Sequence, residues 1–326
     1  MGNGVKTRNN FIVGGQTMKE QVFYVDNIKI VLKEPKKTLI EKLFIIFGIA
    51  LPIINVIVFW FIVNGESIFL AFQEMQNGEY VWTFNNFRYI WDALKNPMSP
   101  VMEGFKNTMI FFSFSTFVQL PTTYLIAFLV YKKIPFANGF RWIFMIPAMV
   151  SAVVLTSCVK FMLAPGGPLP EIWNDLFGTK PLFFADSDYA LGTMLVYQYW
   201  AGFGGGILLY VANFSRIPKQ LVEAGRLDGM SFFEEIIHVV FPLTWPFFST
   251  MLMLQMSSIF GASGPVLLFT EGKYGTYTLS YWIYEQTISG AGLTKGACIG
   301  FIMTILTLPI ILIFKKIADS VEPIEY

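Results

Sequence analysis

Charge is scarce in this chain: 14% of its 326 residues are Asp, Glu, Lys or Arg, and there is one histidine, His238. None of these five types interrupts six apolar stretches at residues 43–63, 107–130, 142–159, 190–214, 242–268 and 296–314. Ion- and proton-coupled carriers keep ionisable groups near the bilayer midplane, so this absence argues against that class. The two cysteines, Cys158 and Cys298, lie in apolar runs without metal-ligand spacing, which excludes a disulfide framework and leaves small packing residues. No Gly-x4-Gly-Lys-Ser/Thr segment occurs, so the chain does not bind ATP in the phosphate-loop manner. Basic and acidic residues nearly balance, 23 against 22, and no excess points to nucleic acid. His238 reads as a satisfied surface histidine without a functional role.

Apolar and aromatic residues are abundant. Hydrophobic residues make up 54% of the chain, with 34 Phe and 8 Trp, too apolar for an ordinary soluble domain. Each stretch is long enough to cross a hydrocarbon core of about 30 Å, so the expected fold is an all-α membrane protein of six transmembrane helices. A basic segment without a small-residue cleavage site precedes the first stretch, which reads as a retained helix with a cytoplasmic N-terminus. With both termini inside, sixteen of the 23 Lys and Arg fall on the inner side, as the positive-inside rule requires. The implied organisation is a cytoplasmic segment 1–42, a first helix 43–63, an outer loop 64–106, a core 107–314 of five helices, and a cytoplasmic tail 315–326. Trp82, Phe84, Phe87, Tyr89 and Trp91 in the outer loop suit either a docking platform or interfacial anchoring.

The polar groups inside the stretches are neutral, among them Asn55, Gln119, Thr122, Gln198, Gln255, Ser257, Ser258, Thr304 and Thr307. They serve helix association or contact with a neutral polar solute. Tyr197, Gln198, Trp200, Gln255 and Ser258 combine aromatic faces with hydrogen-bonding groups and are the candidate substrate-pathway residues. The run Ala201-Gly202-Phe203-Gly204-Gly205-Gly206 either loosens its helix or lets a neighbour approach the backbone closely.

The loop 215–242 carries helical punctuation. Pro218 fits the first turn of a helix through Leu227, and Asp228-Gly229 supplies a turn that ends it. Ser231 and Glu234 form a capping box before a second apolar helix, and Pro242 begins the next span. The result is a helix-turn-helix at the membrane face, either a capped surface loop or a docking element.

Glu223-Ala224-Gly225, then Gly229, then Val239, Val240, Phe241 and Pro242 resemble the EAA loop of binding-protein-dependent ABC importer permeases. Ile217-Pro218 and Asp228-Gly229 are similar to its form in the carbohydrate-uptake branch. The chain departs from that pattern at Gly225, where Ala is usual, and at Val239 and Phe241, where Ile and Leu are usual. The likeness to maltose-type permeases runs from about Trp82 to the C-terminus, through Asn86-Phe87, Asn107-Thr108, Arg141 to Pro147, Lys160 to Gly166, and Trp200 with Gly202. It lapses at Phe260-Gly261 and Thr270-Glu271-Gly272, near the pathway and outer loop, where the particular sugar is left open.

The resemblance implies a type I ABC importer permease fold with cytoplasmic EAA coupling helices, in which Glu223, Ala224, Gly225, Asp228, Gly229 and Pro242 couple to an ATPase. It implies a non-enzymatic subunit that binds no cofactor, ATP and Mg residing on two partner ATPase subunits. The other implied partners are a second, different permease, an external solute-binding protein and a sugar or oligosaccharide, in a bacterial or archaeal cell membrane. A permease for another small neutral solute is the alternative. A secondary carrier or channel would explain only the spans, and a membrane anchor only the hydrophobicity.

Overall fold

The structure is a computed structural model that describes residues 11–13, 16–18, 20–25, 28–33 and 38–321, apart from Asp228 and Ala291, with side chains from residue 38 onward except Asn138 and Arg226. The chain divides into two compact units, 1–66 and 67–326.

The first unit opens with two antiparallel hairpins, β1 (Phe11–Val13) with β2 (Gln16–Met18), and β3 (Glu20–Val25) with β4 (Ile28–Lys33). The run Val22-Phe23-Tyr24-Val25 and Ile28-Lys29-Ile30-Val31 is β-branched and aromatic, which favours strands over helix. The expectation of an all-α chain is corrected here to a mostly helical one. Most of helix α1 (Leu39–Ala71) belongs to this unit. It begins four residues before the predicted 43, because Thr38 and Glu41 form a capping box: Thr38 Oγ1 accepts the Glu41 amide and the Glu41 carboxylate accepts the Thr38 amide at 2.8 Å. Large apolar side chains are exposed along it, Phe44 and Phe47 among them, as suits a helix whose solvent is hydrocarbon.

The second unit starts with the hairpin of β5 (Gln73–Gln76) and β6 (Glu79–Trp82). Its two-residue turn, Asn77-Gly78, has φ of 54° and 89°, the positive pair that a tight hairpin needs. Helices α2 (Asn85–Lys95), α3 (Pro100–Tyr131), α4 (Ala137–Met149), α5 (Ala152–Leu163), α6 (Pro168–Phe177), α7 (Ala190–Phe214), α8 (Lys219–Leu227), α9 (Phe232–Ser257), α10 (Val266–Phe269), α11 (Leu279–Ser289) and α12 (Leu293–Asp319) follow. Three apolar clusters form the core, and α3 threads all of them: Val101 joins Ile90, Leu279 and Trp282; Phe111 and Phe112 join Met194 and Phe269; Tyr124 and Phe128 join Tyr210, Phe214, Ile236 and Val240.

Among the described residues, five helical segments are long and apolar enough to cross a membrane: Leu39–Ala71, Pro100–Tyr131, Ala152–Phe177, Phe232–Ser257 and Leu293–Asp319. Helix α7 stands outside that set although it has 25 residues and no Asp, Glu, Lys, Arg or His. Glycines, tyrosines, Gln198 and Asn213 dilute its apolarity, and it packs between α3 and α4. A helix that faces protein can carry such residues where one facing lipid cannot.

Two predicted spans are not single helices. Residues 142–159 are broken at Val150, which is extended, and Ser151, which is not helical, one turn after Pro147. Residues 242–268 hold a helix only to Ser257, because Gly261, Gly264 and Pro265 follow. In α3 and α9, π-type turns at Ser115–Gln119 and Glu235–Val240 precede Pro121 and Pro242. Each proline lacks the N–H that would bond four residues back, and the ladder widens locally.

Candidate functional site

The loop 215–242 does form a helical hairpin, with α8 as its first arm. Gly229, at φ +80°, sits where the Met230 amide donates to the Gly225 carbonyl at 3.0 Å, closing the end of α8 in a Schellman turn. Met230 then folds over Gly225. A Cβ on Gly225 would stand 2.6 Å from Met230 Cε, so the glycine makes room for a side chain of its own hairpin. Gly225 is buried while Glu223 and Ala224 are exposed. Asp228 lies outside the described residues.

The second arm begins at Ser231, whose hydroxyl accepts the Glu234 amide while the Glu234 carboxylate accepts the Ser231 amide at 2.7 Å. It is the first turns of α9, since helix continues through Pro242 to Ser257. Pro242 is therefore half-buried inside a continuous rod rather than the start of a separate span. Ile217, Ile236 and Val240 bury the hairpin's inner face against Phe128 and Phe214. One ion pair joins it to α3: Lys132 Nζ lies 2.5 Å from the Glu235 carboxylate. His238 is exposed, with Nδ1 3.2 Å from the Glu234 carbonyl.

A polar cleft of about 350 Å³ lies between α3, α7 and α9, lined among others by Ser115, Gln119, Gln198, Tyr210 and Gln255. Gln255 Nε2 donates to Ser115 Oγ at 2.7 Å, and Ser115 donates to the Phe111 carbonyl at 2.8 Å. Gln198 Oε1 and the Tyr210 hydroxyl are buried without a partner among the described residues. Such groups are costly unless water or solute satisfies them. The glycine run builds one wall. α7 stays helical through it, and a Cβ would meet Gln119 Nε2 at 1.9 Å from Gly202 and Thr123 Cγ2 at 2.8 Å from Gly206. Close approach is the outcome, not a loosened helix.

The five expected pathway residues divide. Gln198 and Gln255 share this cleft. Tyr197 and Trp200 line a different, apolar groove of about 530 Å³ with Leu169, Trp173 and Phe183, and the Tyr197 hydroxyl is engaged with Thr156 Oγ1 at 2.8 Å. Ser258 donates to the Gln255 carbonyl at 2.8 Å and lines neither. Ser115 and Tyr210 were not among the candidates. Their signal is a spacing of four: Ser115, Gln119 and Thr123 on α3, then Gln198, Gly202, Gly206 and Tyr210 on α7, each series one helix face.

At the far end of α3, Asn107 Nδ2 donates to the Gly275 and Tyr277 carbonyls, both at 2.8 Å, and Thr108 Oγ1 accepts the Leu279 amide at 3.1 Å. The Asn-Thr pair thus ties the segment 275–279 to α3. Tyr277 donates to Glu285, and burial together with that carboxylate raises its phenol pKa above the ordinary value. Both cysteines are free; Cys298 is packed, whereas Cys158 is exposed, so the packing reading is corrected for the latter.

No family model matches the chain. It is 27% identical over 266 residues to the arabinooligosaccharides transport system permease protein of Bacillus subtilis, covering 78% of this chain and 82% of that one. It is 25% identical over 271 residues to the sn-glycerol-3-phosphate transport system permease protein of Pectobacterium atrosepticum, covering 80% and 90%. Among solved structures, a bacterial ABC transporter involved in import of the acidic polysaccharide alginate matches with a TM-score of 0.74 at 19% identity, over 86% of this chain and 97% of that one. A bacterial alginate ABC transporter in complex with an alginate pentasaccharide-bound periplasmic protein gives 0.75 at 17% identity, over 86% and 96%. In sequence this multi-pass membrane protein is similar to permease proteins of transport systems, and in fold to a chain of a bacterial ABC transporter.

Proposed function

We propose that the chain is the permease subunit of an ABC importer that carries a neutral sugar or oligosaccharide through the cleft between α3, α7 and α9. The observation that carries this reading is the cleft's set of neutral hydrogen-bonding groups. Its hydroxyl and amide groups, two of them unpartnered, suit a solute rich in hydroxyls, and no Lys, Arg or His lines it. An anionic solute would call for cationic groups there. The names of the relatives support a solute of this kind, although they include an acidic polysaccharide and a phosphate ester.

In this reading α7 completes six crossings with both termini in the cytoplasm, since its 25 residues reach about 37 Å. The hairpin of α8 and the start of α9 faces the ATPase, with Glu223, Ala224 and Gly229 as the contact and shape-determining residues. ATP hydrolysis and its Mg belong to two separate subunits, and the chain itself is no enzyme. An external binding protein delivers the solute, and a second, different permease completes the pathway in a bacterial or archaeal plasma membrane.

The test is purification of the complex with its receptor, release of the bound solute by denaturation, and identification by mass spectrometry, followed by uptake of that solute in proteoliposomes. A neutral saccharide taken up only with internal ATP is expected. Receptor-bound amino acid or inorganic anion would reject the substrate class, and uptake without an ATPase would reject the transporter class.

A further inference from the structure

The hairpin carries a second feature, which no EAA residue accounts for. Lys132 caps the C-terminus of α3, and its ammonium meets the Glu235 carboxylate at 2.5 Å, with the two side chains only 13% and 9% exposed. The Lys132 ammonium also lies 5.5 Å from the centre of the Phe128 ring, and Phe128 is fully buried, edge-on to Phe214 and tilted against Phe232. Glu235 opens the π-type turn Glu235–Val240, where the backbone ladder is interrupted ahead of Pro242. The helix is therefore most easily bent where the pair is attached.

We propose that Lys132 and Glu235 form a positioning latch that makes α3 follow the hairpin, so that a displacement of α8 is transmitted to the cleft instead of being absorbed in the π-type turn. Two further facts give the latch its leverage. From the ion pair at its Lys132 end, α3 stays helical as far as its own π-type turn Ser115–Gln119, and that turn is itself part of the cleft wall. The apolar contacts around the pair are non-directional and permit sliding, whereas a short, largely desolvated ion pair fixes both distance and direction. Burial of two charges is a poor route to stability, since an apolar pair of similar volume serves as well. Retention of the charges at this joint fits a mechanical task.

This inference rests on the reading of the hairpin as the ATPase-facing element. The experiment uses the full complex with its ATPases and receptor in nanodiscs, with Cys158 and Cys298 replaced by Ala and a reporter, Leu254→Cys, placed in the exposed part of the cleft lining. The rate of labelling by a small maleimide is measured with and without ATP and vanadate, beside ATP hydrolysis. In the parent, nucleotide should change the labelling rate at least fivefold. In Lys132→Met and in Glu235→Gln that change should fall below twofold while ATPase co-purification and hydrolysis stay within threefold of the parent. Exchanging the charges, Lys132→Glu with Glu235→Lys, should restore at least half of the nucleotide response, and Lys132→Arg should retain it.

Single variants with the parent's nucleotide response would overturn the latch, as would a charge exchange that assembles but stays unresponsive. If the singles fail to assemble, the neutral double Lys132→Met, Glu235→Leu decides: a normal response there makes the pair a structural filler, and a lost response with intact hydrolysis supports the latch. A parent complex that binds no ATPase or gives no nucleotide response would instead reject the underlying transporter reading.

Discussion

A Cβ on Gly204 would stand 2.6 Å from the Phe144 carbonyl oxygen and 2.8 Å from the Ala148 Cβ, so α4 and α7 touch through backbone at this point. The neighbouring Gly205 meets nothing within 4 Å. Gly204→Val should force the two helices apart and cost about 1–3 kcal/mol, the usual range for overpacking, whereas Gly205→Val should be close to neutral. Thermal unfolding of the two variants in detergent checks the contrast; equal stability would show that the α4–α7 contact yields.

Within the cleft, Gln198→Ala and Gln255→Ala should slow solute uptake at least tenfold while ATPase association is kept. Tyr197→Phe breaks only a packing hydrogen bond to Thr156, so uptake should stay within twofold, with a stability loss of about 1 kcal/mol. Uptake rates normalised to assembled complex distinguish the two sets. A larger loss for Tyr197→Phe than for Gln255→Ala would move the pathway to the aromatic groove.

The hairpin separates two kinds of defect. Glu223→Ala removes an exposed carboxylate and should weaken ATPase co-purification without changing stability. Gly229→Val meets no neighbour, yet it forces a branched residue to φ +80° at a cost of about 1–3 kcal/mol, and should misdirect α8. Gly229→Asn, which tolerates that conformation better, should recover part of the ATPase binding. Parent-like co-purification in all three variants would leave only a capped surface loop.

Orientation is open to direct labelling. In a background without Cys158 and Cys298, cysteines at the exposed positions Asn77 and Asp175 should react with an impermeant external reagent in sealed cells, and one at exposed Lys133 should not. Lys132 is unsuitable as the inner reporter, because its side chain is held by Glu235. Labelling at Lys133 from outside would invert the assignment.

At the end of α3 remote from Lys132, Asn107→Ala removes both hydrogen bonds to the Gly275 and Tyr277 carbonyls. It should cost about 2 kcal/mol and increase hydrogen exchange in residues 270–279. Unchanged exchange there would show that Thr108 and the apolar contacts suffice.

Membrane residence, the neutral interior and the hairpin with its caps were legible from residue order alone, because each depends on local properties: apolar length, missing charge, and turn chemistry at Ser231, Glu234 and Gly229. The lining face was half legible. A spacing of four along α3 and along α7 marks Gln119 and Gln198 as stripe residues, but periodicity within one helix does not say which other helix completes the wall. Tyr197 and Trp200 therefore looked equivalent to Gln198, although they point into a different groove.

Packing decided the remainder. That Gly225 makes room for Met230, that α7 packs between α3 and α4 despite its low apolarity, and that Lys132 finds Glu235 103 positions away all depend on which surfaces meet once the helices assemble. Capping and hydropathy act over a few residues and are written in the order of the chain. Contacts between distant segments follow from the joint shape of several helices, and that shape is set only when their side chains interlock.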